Sequence, residues 1–460
     1  TAPTVTILNT PANTNAAFTA TFEFSEDVTG FAVGDISVSN ATISGFTATD
    51  GNTYTALITP TAEGAFTIDV ADSVAIDVAS NDNTAATQAS GTFDTTAPTV
   101  AILNTPANTN TAFTATFEFS EDVTGFAVGD ISVSNATISG FTATDDNTYT
   151  ALITPTAEGA FTIDVADSVA IDAASNDNTA AIQASGTFDT SAPTVVIQNF
   201  PANVNSAFTA TFQFSESVTG FDGSDVTLSN ATLTNFTAID ADTYTATITP
   251  TNEGAFTVDI AANVALDLAS NSNTAATQAS SNFDATDPSV VIDGVPANTN
   301  DSFTATFQFS EAVSGFTDSD VSLSNATLSN FVAVDSDTYT ALITPNSEGP
   351  FTVDVPVSSA QDVAANVNTA AAQATGTYDI TIPTVIFQNI PANTSGPFTA
   401  TFQFSETVAG FESSDLSLNN ATLSNFVAVD GDTYTATITP TTEGQFSLDI
   451  PARIAFDPAG

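Results

Sequence analysis

The sequence contains 460 residues, with 52 acidic side chains against a single basic one, Arg453, and a formal net charge of −51. It contains no histidine, cysteine or lysine, which excludes disulfides, histidine-based nucleophile activation, the usual zinc sites and lysine–asparagine crosslinks. A surface this poor in bases repels nucleic acid and anionic membranes, and no apolar run is long enough to span a bilayer, so we expect neither as a partner.

The first 95 residues alternate apolar and polar side chains, which is the pattern of half-buried β-strands. Turn-forming clusters such as Pro11-Ala12-Asn13 and Asp50-Gly51-Asn52 separate the alternating runs. The pattern predicts seven strands in an antiparallel sandwich, at 5–8, 17–24, 36–39, 43–48, 53–58, 66–70 and 88–93. The predicted core is aromatic: Phe18, Phe22, Phe24, Phe31, Phe46, Tyr54, Phe66 and Phe93.

The whole pattern recurs with a period of 95 residues and no insertion or deletion, as the proline series Pro3, Pro98, Pro193, Pro288 and Pro383 shows. A unit of this length is a domain with its own core and not a solenoid turn. The predicted fold class is therefore all-β, with tandem sandwiches arranged as an elongated rod. The predicted domains, called repeats one to five below, are 1–95, 96–190, 191–285, 286–380 and 381–460.

Repeat five is predicted to be incomplete, because the sequence stops before the position of its last strand. We interpret the sequence, which begins at Thr1 without a signal peptide, as a mature or excised piece of a longer protein. Either the array continues beyond residue 460, or a neighbouring subunit donates the strand.

Four segments of the repeat carry a resemblance to a known family: residues 1–5, 24–31, 54–60 and the loop from Asp77 to Asn81. They resemble the bacterial immunoglobulin-like repeats of large calcium-dependent surface adhesins. That resemblance implies a sandwich fold, calcium at domain junctions, secretion, and a stalk that projects an adhesive tip. The sequence departs from the family at Ser80, where the loop often has glycine.

Comparison of the five copies separates acidic positions that vary from those that do not. Asp27 and Asp82 are replaced in later copies. Acids are retained in every copy present at the positions of Glu26, Asp35, Asp50, Glu63, Asp69, Asp77 and Asp94. If successive strands alternate in direction, the leading end of a repeat carries Glu26, Asp35, Asp50 and Asp77, and its trailing end carries Glu63 and Asp94. The linker Asp94 of one repeat is then expected to approach Glu121, Asp130 and Asp172 of the next.

Carboxylates that converge without any base repel one another, and a hard cation with six to eight oxygen ligands relieves the repulsion; calcium fits better than magnesium. We therefore predict one Ca²⁺ site per junction, and the alternative is that these acids only solubilise loops or cap turns. The linker ligands are Asp94, Asp189, Asp284 and Asp379. The predicted ligands of the receiving repeats are Glu121, Asp172, Asn176, Glu216, Asp267, Asn271, Glu311, Asp362, Asn366, Glu406 and Asp457, with Glu26, Asp77 and Asn81 as their equivalents in repeat one.

Other polar positions have simpler interpretations. The Asp130 class is a second choice of ligand, whereas Asp50 is interpreted as a turn residue and Asp69 as a solvated strand residue. The Asn40-Ala41-Thr42 sequon, which recurs in every repeat, is interpreted as a turn in preference to a glycosylation site.

These observations predict a non-enzymatic extender segment of a secreted bacterial surface adhesin or fibre, stiffened by calcium and located outside the cell. Its partners are further copies of the repeat in the parent chain, with possible self-association into fibres. At about 40 Å per repeat, five repeats would reach on the order of 200 Å, and would become flexible without calcium. Two alternatives remain: a subunit of a self-assembling filament or surface layer, and an array of glycan-binding modules.

Overall fold

The computed structural model describes residues 1–459, and each complete repeat in it consists of two four-stranded sheets. The alternation in Phe18–Phe24 places Ala20, Phe22 and Phe24 inside, and it turns Thr19, Thr21 and Glu23 outwards. Repeat one contains β1 Val5–Leu8, β2 Asn13–Thr14, β3 Phe18–Phe24, β4 Ile36–Ser39, β5 Ala41–Ala48, β6 Thr53–Pro60, β7 Gly64–Val70 and β8 Ala89–Phe93.

The other repeats have equivalent strands. In repeat two these are β9–β16, at Val100–Leu103, Asn108–Thr109, Phe113–Phe119, Ile131–Ser134, Ala136–Ala143, Thr148–Pro155, Gly159–Val165 and Ala184–Phe188. In repeat three these are β17–β24, at Val195–Gln198, Asn203–Val204, Phe208–Phe214, Val226–Ser229, Ala231–Ala238, Thr243–Pro250, Gly254–Ile260 and Ala279–Phe283.

In repeat four these are β25–β32, at Val290–Asp293, Asn298–Thr299, Phe303–Phe309, Ser322–Ser324, Ala326–Ala333, Thr338–Pro345, Gly349–Asp354 and Ala374–Tyr378. Repeat five, within its described residues, has β33–β38, at Val385–Gln388, Phe398–Phe404, Ser417–Asn419, Ala421–Ala428, Thr433–Pro440 and Ser447–Asp449. A short 3₁₀ turn precedes the fourth strand of each complete repeat and its counterpart β35, at Val33–Asp35, Val128–Asp130, Gly223–Asp225, Asp318–Asp320 and Ser413–Asp415.

The strand order is the same in all complete repeats. In repeat one the first sheet has the order β1-β3-β6-β5 and the second has the order β2-β8-β7-β4. All pairings are antiparallel except that of β2 with β8, which is parallel. In repeat five the first sheet is complete and the second contains β35 and β38. The predicted all-β class of tandem sandwiches is confirmed.

The seven predicted strands are all present, with ends that differ by at most two residues. The structure adds an eighth, the two-residue strand β2, in a segment that the sequence marks as a turn. Two residues are too few to show an alternating pattern, and β2 is ordered by its pairing with β8, 79 positions further along the chain from Asn13 to Thr92.

Each sandwich has its own core, built largely from aromatic rings. Phe22 and Phe66 are fully buried in repeat one, and the predicted core residues Phe18, Phe46 and Phe93 pack against them from the periphery. Tyr54 stacks on Phe46 with ring centroids 5.7 Å apart and donates a hydrogen bond of 3.1 Å to the carbonyl oxygen of Val28. Burial of each large side chain contributes about 1.5–3 kcal/mol, so the aromatic core can replace a disulfide as the brace of the sandwich.

Candidate metal centres at the repeat junctions

The loop that contains Asp172 is fixed by its own hydrogen bonds. Asp172 as a whole residue is 5% exposed, and its Oδ1 accepts bonds of 2.8 Å from the backbone N–H groups of Ala174 and Asn176. Isolated β-bridges pair Ile171 with Thr124 and with Asp177, and they hold the start of the loop against two neighbouring segments of the same repeat. The Asp172 side chain is therefore preorganised at the leading end of repeat two.

Ser175 occupies the loop position that is often glycine in the family. Its φ is 72°, and the equivalent residues Ser80, Ser270 and Ala365 have φ values of 60°, 74° and 70°. This is the left-handed region that glycine adopts freely. The loop thus keeps the turn that a glycine would make, although these residues pay a steric cost for it.

Glu121 lies just beyond the end of β11, next to the same loop. The backbone N–H of Ser120 donates to the carbonyl oxygen of Thr99, which fixes this corner of the sandwich. Burial raises the pKa of the half-buried Glu121 carboxyl, and the nearby charges of Asp94 and Asp172 raise it further. The equivalent residues Glu216, Glu311 and Glu406 also have raised pKa values, with burial again the first cause.

Asp94 reaches this site from the preceding repeat because it directly follows β8. Its backbone N–H donates to the carbonyl oxygen of Thr14, and its Oδ1 accepts a bond of 2.9 Å from the N–H of Thr96 in the linker. Glu63 braces the same linker by accepting bonds from the N–H and the hydroxyl of Thr95. These two bonds lower the pKa of Glu63.

The carboxylates of Asp94, Glu121 and Asp172 converge: one oxygen atom from each lies within 4.8 Å of the other two. The same grouping recurs at all four junctions, and we call these groups the junction triads: Asp94–Glu121–Asp172, Asp189–Glu216–Asp267, Asp284–Glu311–Asp362 and Asp379–Glu406–Asp457. In each triad one acid comes from the linker and two from the receiving repeat. The single basic side chain of the sequence, Arg453, lies in repeat five, so the first three triads have no lysine or arginine in either of their two repeats.

Asn176 joins the two sides of the junction. Its Nδ2 donates a bond of 2.8 Å to Oδ2 of Asp172 and one of 2.9 Å to the carbonyl oxygen of Asp94. Asn271 and Asn366 make the same bonds to Asp189 and Asp284. A ligating asparagine would have to turn its amide oxygen to the ion and give up these bonds, so its role as a ligand stays a prediction.

Repeat one carries the residues of a receiving half, Glu26, Asp77 and Asn81, and the position equivalent to Asp94 lies before Thr1. Nδ2 of Asn81 donates a bond of 2.7 Å to Oδ2 of Asp77. This bond and that from the backbone N–H of Asn81 lower the pKa of Asp77. The hydrogen bonds that hold Asp77 in this receiving loop therefore come from within the loop.

The remaining retained acids serve their own turns or strands. Oδ2 of Asp130 accepts a bond of 2.8 Å from the N–H of Ala127 and caps the 3₁₀ turn, so this second-choice ligand lies outside the triads. Oδ1 of Asp50 accepts a bond of 2.8 Å from the N–H of Thr53, which agrees with its interpretation as a turn residue. Asp69 lies half-buried on β7.

Sequence reasoning missed a second contact across the junctions. Nδ2 of Asn15 donates a bond of 3.0 Å to the carbonyl oxygen of Ser175, and Nδ2 of Asn110 donates one of 3.0 Å to Oδ1 of Asn271. An asparagine recurs at this position in repeats one to four, and that recurrence was the available signal.

The sequon asparagine has a structural role. Nδ2 of Asn40 donates a bond of 2.6 Å to the carbonyl oxygen of Ala62, and Oδ1 accepts one of 3.1 Å from the N–H of the same residue. Its φ of 51° lies in the left-handed region that asparagine tolerates. Both ends of the amide are thus engaged in a turn.

The pattern of repeats can now be set beside known proteins. Residues 1–93, 94–188, 189–283, 284–380 and 379–460 each match the sequence profile described as the bacterial Ig-like domain. The chain belongs to this family. The five bacterial Ig-like domains cover nearly its whole length, which confirms the resemblance that the sequence motifs indicated. A comparison with curated protein sequences found no match.

Several solved structures are similar to this bacterial Ig-like array. FdeC, an adhesin of Escherichia coli, aligns with 18% identity and a TM-score of 0.36 over 61% of the chain and 98% of its own. Invasin, a bacterial integrin-binding protein, aligns with 14% identity and a TM-score of 0.35 over 84% and 80%. The S-layer protein SbsC aligns with 12% identity and a TM-score of 0.19 over 99% and 65%. At such identities and TM-scores we draw no functional argument from these likenesses.

The described residues contain no helix of the length and apolar character that crossing a bilayer requires.

Proposed function

We propose that this array is an extender segment of a secreted bacterial surface adhesin or fibre, stiffened by calcium bound at its domain junctions. The observation that carries the proposal is the recurrence of the junction triads, with acids from two consecutive repeats within 4.8 Å at every one of the four junctions. If these acids only solubilised loops, three of them would not be expected to converge at the same place in all four junctions, because the sequences of the later repeats have diverged.

The triads favour a cation on electrostatic grounds. Three carboxylates at this distance repel one another, and burial of Glu121 and Asp172 weakens the screening of that repulsion by water. Arg453 cannot serve four junctions, so a bound divalent ion is the remaining source of positive charge. Three carboxylates offer up to six oxygens, which suits the six to eight ligands of Ca²⁺ better than the strict octahedron of Mg²⁺.

Stiffness would follow from where the ligands come from. Asp94 belongs to one sandwich and Glu121 with Asp172 to the next, so a shared ion would fix the angle between them. The linker from Asp94 to Pro98 is short and ends in proline, which already limits bending. Without the ion, repulsion within each triad would open the junctions, and the chain would behave as flexibly linked beads.

The experiment is a calcium titration of the full chain by calorimetry, together with small-angle X-ray scattering in calcium and in chelator. We expect a class of four tight sites and a maximum dimension on the order of 200 Å that becomes poorly defined in chelator. The variant Glu121→Gln/Glu216→Gln removes one ligand from each of two junctions and should leave two tight sites.

The matched control is Glu23→Gln/Glu118→Gln, which removes the same charge from exposed strand positions where later repeats carry glutamine. It should keep all four tight sites. Absence of calcium binding in the parent chain, or scattering profiles that coincide in calcium and chelator, would reject the proposal.

An enzymatic role receives no support from the residues present, since the sequence contains no histidine, cysteine or lysine to form an activated nucleophile. An array of glycan-binding modules calls for exposed aromatic rings on the repeats. Among residues 1–459 the exposed phenylalanines are Phe387 and Phe456, both in repeat five. The junction triads, in contrast, occur throughout the chain.

A further inference from the structure

Residues 14–16 form a turn beside repeat two, and we call this segment and its equivalents in the other repeats the trailing turn. Thr14 Oγ1 donates a bond of 2.9 Å to the carbonyl oxygen of Ala16 and accepts one of 3.2 Å from the N–H of the same residue. Thr109 and Thr299 make the same pair of bonds in repeats two and four. A threonine hydroxyl that bonds to the backbone two residues further on holds such a turn in one conformation.

Repeat three lacks this brace because valine occupies the position of the threonine. Val204 is buried to the same degree as Thr109, but its side chain has no hydroxyl to donate or accept a hydrogen bond. The next residue of the turn, Asn205, accepts a bond of 3.2 Å at its Oδ1 from the hydroxyl of Ser206. The asparagine that follows the valine is thus held by its neighbour within the turn.

The asparagine of the trailing turn joins two repeats at the first and second junctions but not at the third, which lies between repeats three and four. At the first junction Asn15 donates a bond of 3.0 Å to the carbonyl oxygen of Ser175. At the second, Asn110 donates one of 3.0 Å to Oδ1 of Asn271. In the part of the chain that the structure describes, Nδ2 of Asn205 donates no hydrogen bond to repeat four. The third junction therefore lacks one of the contacts that cross the first two.

The linker of the third junction is also held by fewer bonds. Thr95 and Thr190, in the first two linkers, each donate two bonds to a glutamate of the sandwich before the linker, one from the N–H and one from the hydroxyl. In the third linker Ala285 takes the place of the threonine, and Glu253 accepts a bond of 2.9 Å from its N–H. With one anchoring bond in place of two, this linker is less firmly fixed to its sandwich.

The other contacts of the third junction are those of the first two. Asn366 donates to the carbonyl oxygen of Asp284, as its equivalents do at the first and second junctions. The acids of the third triad are as close to one another as those of the other triads. The fourth junction keeps both kinds of threonine, because Thr299 braces its trailing turn and the hydroxyl of Thr381 donates to Glu348. The exceptional features of the third junction therefore lie in its trailing turn and its linker.

We propose that the third junction is the hinge of the array, at which repeats one to three turn relative to repeats four and five. Neighbouring domains on a short linker move relative to each other unless the contacts between them are extensive. Side-chain hydrogen bonds between repeats are few at every junction, so the loss of even two of them loosens the angle between the sandwiches. Val204 and Ala285 account for both losses. A hinge at one fixed place lets an array of domains bend without weakening its other junctions.

The test places two spin labels on the full chain, which contains no cysteine of its own to compete for labelling. The pair Thr114→Cys/Thr209→Cys spans the second junction, and the pair Thr209→Cys/Thr304→Cys spans the third at equivalent exposed positions. Double electron–electron resonance in chelator should give a distribution of label distances about twice as broad across the third junction as across the second. Chelator is used because an ion bound at both triads would restrict both junctions.

Two variants decide whether the missing threonines cause the breadth. Val204→Thr/Ala285→Thr gives the third junction the two threonines of the second, and should narrow its distance distribution to the width found across the second. The reciprocal variant Thr109→Val/Thr190→Ala should move the hinge, by broadening the distribution across the second junction about twofold. Both variants should fold, because each introduced residue already occupies the equivalent position in another repeat.

Two controls separate hydrogen bonding from charge and from general effects of substitution. The third linker carries Asp287 where the first two linkers have alanine, and Asp287→Ala should leave the third distribution broad. Thr142→Val/Thr144→Ala makes the same changes of side chain at exposed positions of repeat two outside its trailing turn and linker, and should leave the second distribution narrow. Equal widths across the two junctions of the parent chain overturn the proposal, and so does a Val204→Thr/Ala285→Thr variant that stays as broad as the parent.

This inference goes beyond the calcium proposal, and the two can fail separately. Widths measured in chelator decide the hinge, whereas narrowing of both distributions by calcium is an expectation of the proposed function. A chain whose distributions do not respond to calcium but differ between the junctions would reject only calcium stiffening. A chain whose distributions narrow in calcium but are equally broad in chelator would reject only the hinge.

Discussion

The side-chain amide of Asn176 donates a hydrogen bond of 2.9 Å to the backbone carbonyl oxygen of Asp94, and so ties the linker of one repeat to the receiving loop of the next. Because the same amide nitrogen also donates to Asp172, one side chain orients both a linker acid and a loop acid. The junction is therefore partly assembled by hydrogen bonds that need no ion.

We expect Asn176→Ala to weaken calcium binding at the first junction by about tenfold, the lower end of what loss of a residue that orients metal ligands costs. Calorimetric titration of the full chain would show one of four sites displaced to lower affinity. Asn81→Ala is the matched control, because Asn81 bonds to Asp77 in the same way but lies outside the four junction triads. Unchanged affinity in Asn176→Ala would show that the bond to Asp94 does not position the site.

The raised pKa values of the junction glutamates predict an unusual pH dependence of the melting temperature in chelator. The raised pKa of Glu121 means that the folded chain binds more protons than the unfolded chain just above the ordinary glutamate value of 4.5. Raising the pH through this window lowers the free energy of unfolding. We expect the melting temperature in chelator to fall from about pH 5 to about pH 7, and calcium to abolish this fall.

The control for this pH dependence is Glu121→Gln/Glu216→Gln/Glu311→Gln/Glu406→Gln, which should melt at a more constant temperature across the same range. Below the window the opposite sign applies, because Glu63 and Glu158 have lowered pKa values. Their contribution to stability is lost as the pH falls below 4.5, towards their folded pKa values. A melting temperature that rises steadily from about pH 5 to about pH 7 in chelator would contradict the assignment.

Two buried hydroxyls without partners mark a correctable defect in the first two cores. Thr10 Oγ1 and Thr105 Oγ1 are buried and make no hydrogen bond, whereas repeat four has Val295 at the same position. Thr10→Val/Thr105→Val should raise the free energy of unfolding of each repeat by about 1–3 kcal/mol, the cost of an unsatisfied buried hydroxyl. Differential scanning calorimetry of the full chain would detect this, with the exposed pair Thr19→Val/Thr114→Val as a nearly neutral control.

The receiving loop of repeat four contains an alanine in a left-handed conformation, Ala365 with φ 70°. The left-handed conformation of an alanine lowers the free energy of unfolding by about 1–2 kcal/mol. Glycine removes this strain, but its greater conformational entropy in the unfolded chain offsets about half of the gain. Ala365→Gly should therefore stabilise repeat four by about 0.5–1 kcal/mol, read by hydrogen exchange of its peptides. The neighbouring Ala364 is buried and lacks a positive φ, so Ala364→Gly should destabilise the same repeat. Destabilisation by Ala365→Gly would indicate that the methyl group serves the loop.

The acids of the junction triads could be proposed from the sequence because Glu121, Asp172 and Asp94 belong to positions that stay acidic while Asp27 and Asp82 vary. The same criterion also selected Asp130, which caps a 3₁₀ turn. Retention in every copy cannot separate a ligand from a local cap, since both fix the residue equally. Only the positions of the side chains in space distinguish them.

The sequence by itself determined the repeat, the strands and the core, because the alternation that buries Phe22 and exposes Thr21 is a local property with a period of two residues. The tertiary structure alone decided which acids converge and how Asn176 and Asn15 bridge two sandwiches. Those contacts join residues about 80 to 160 positions apart across a linker, and their geometry depends on how one folded domain sits on the next, which no local pattern encodes.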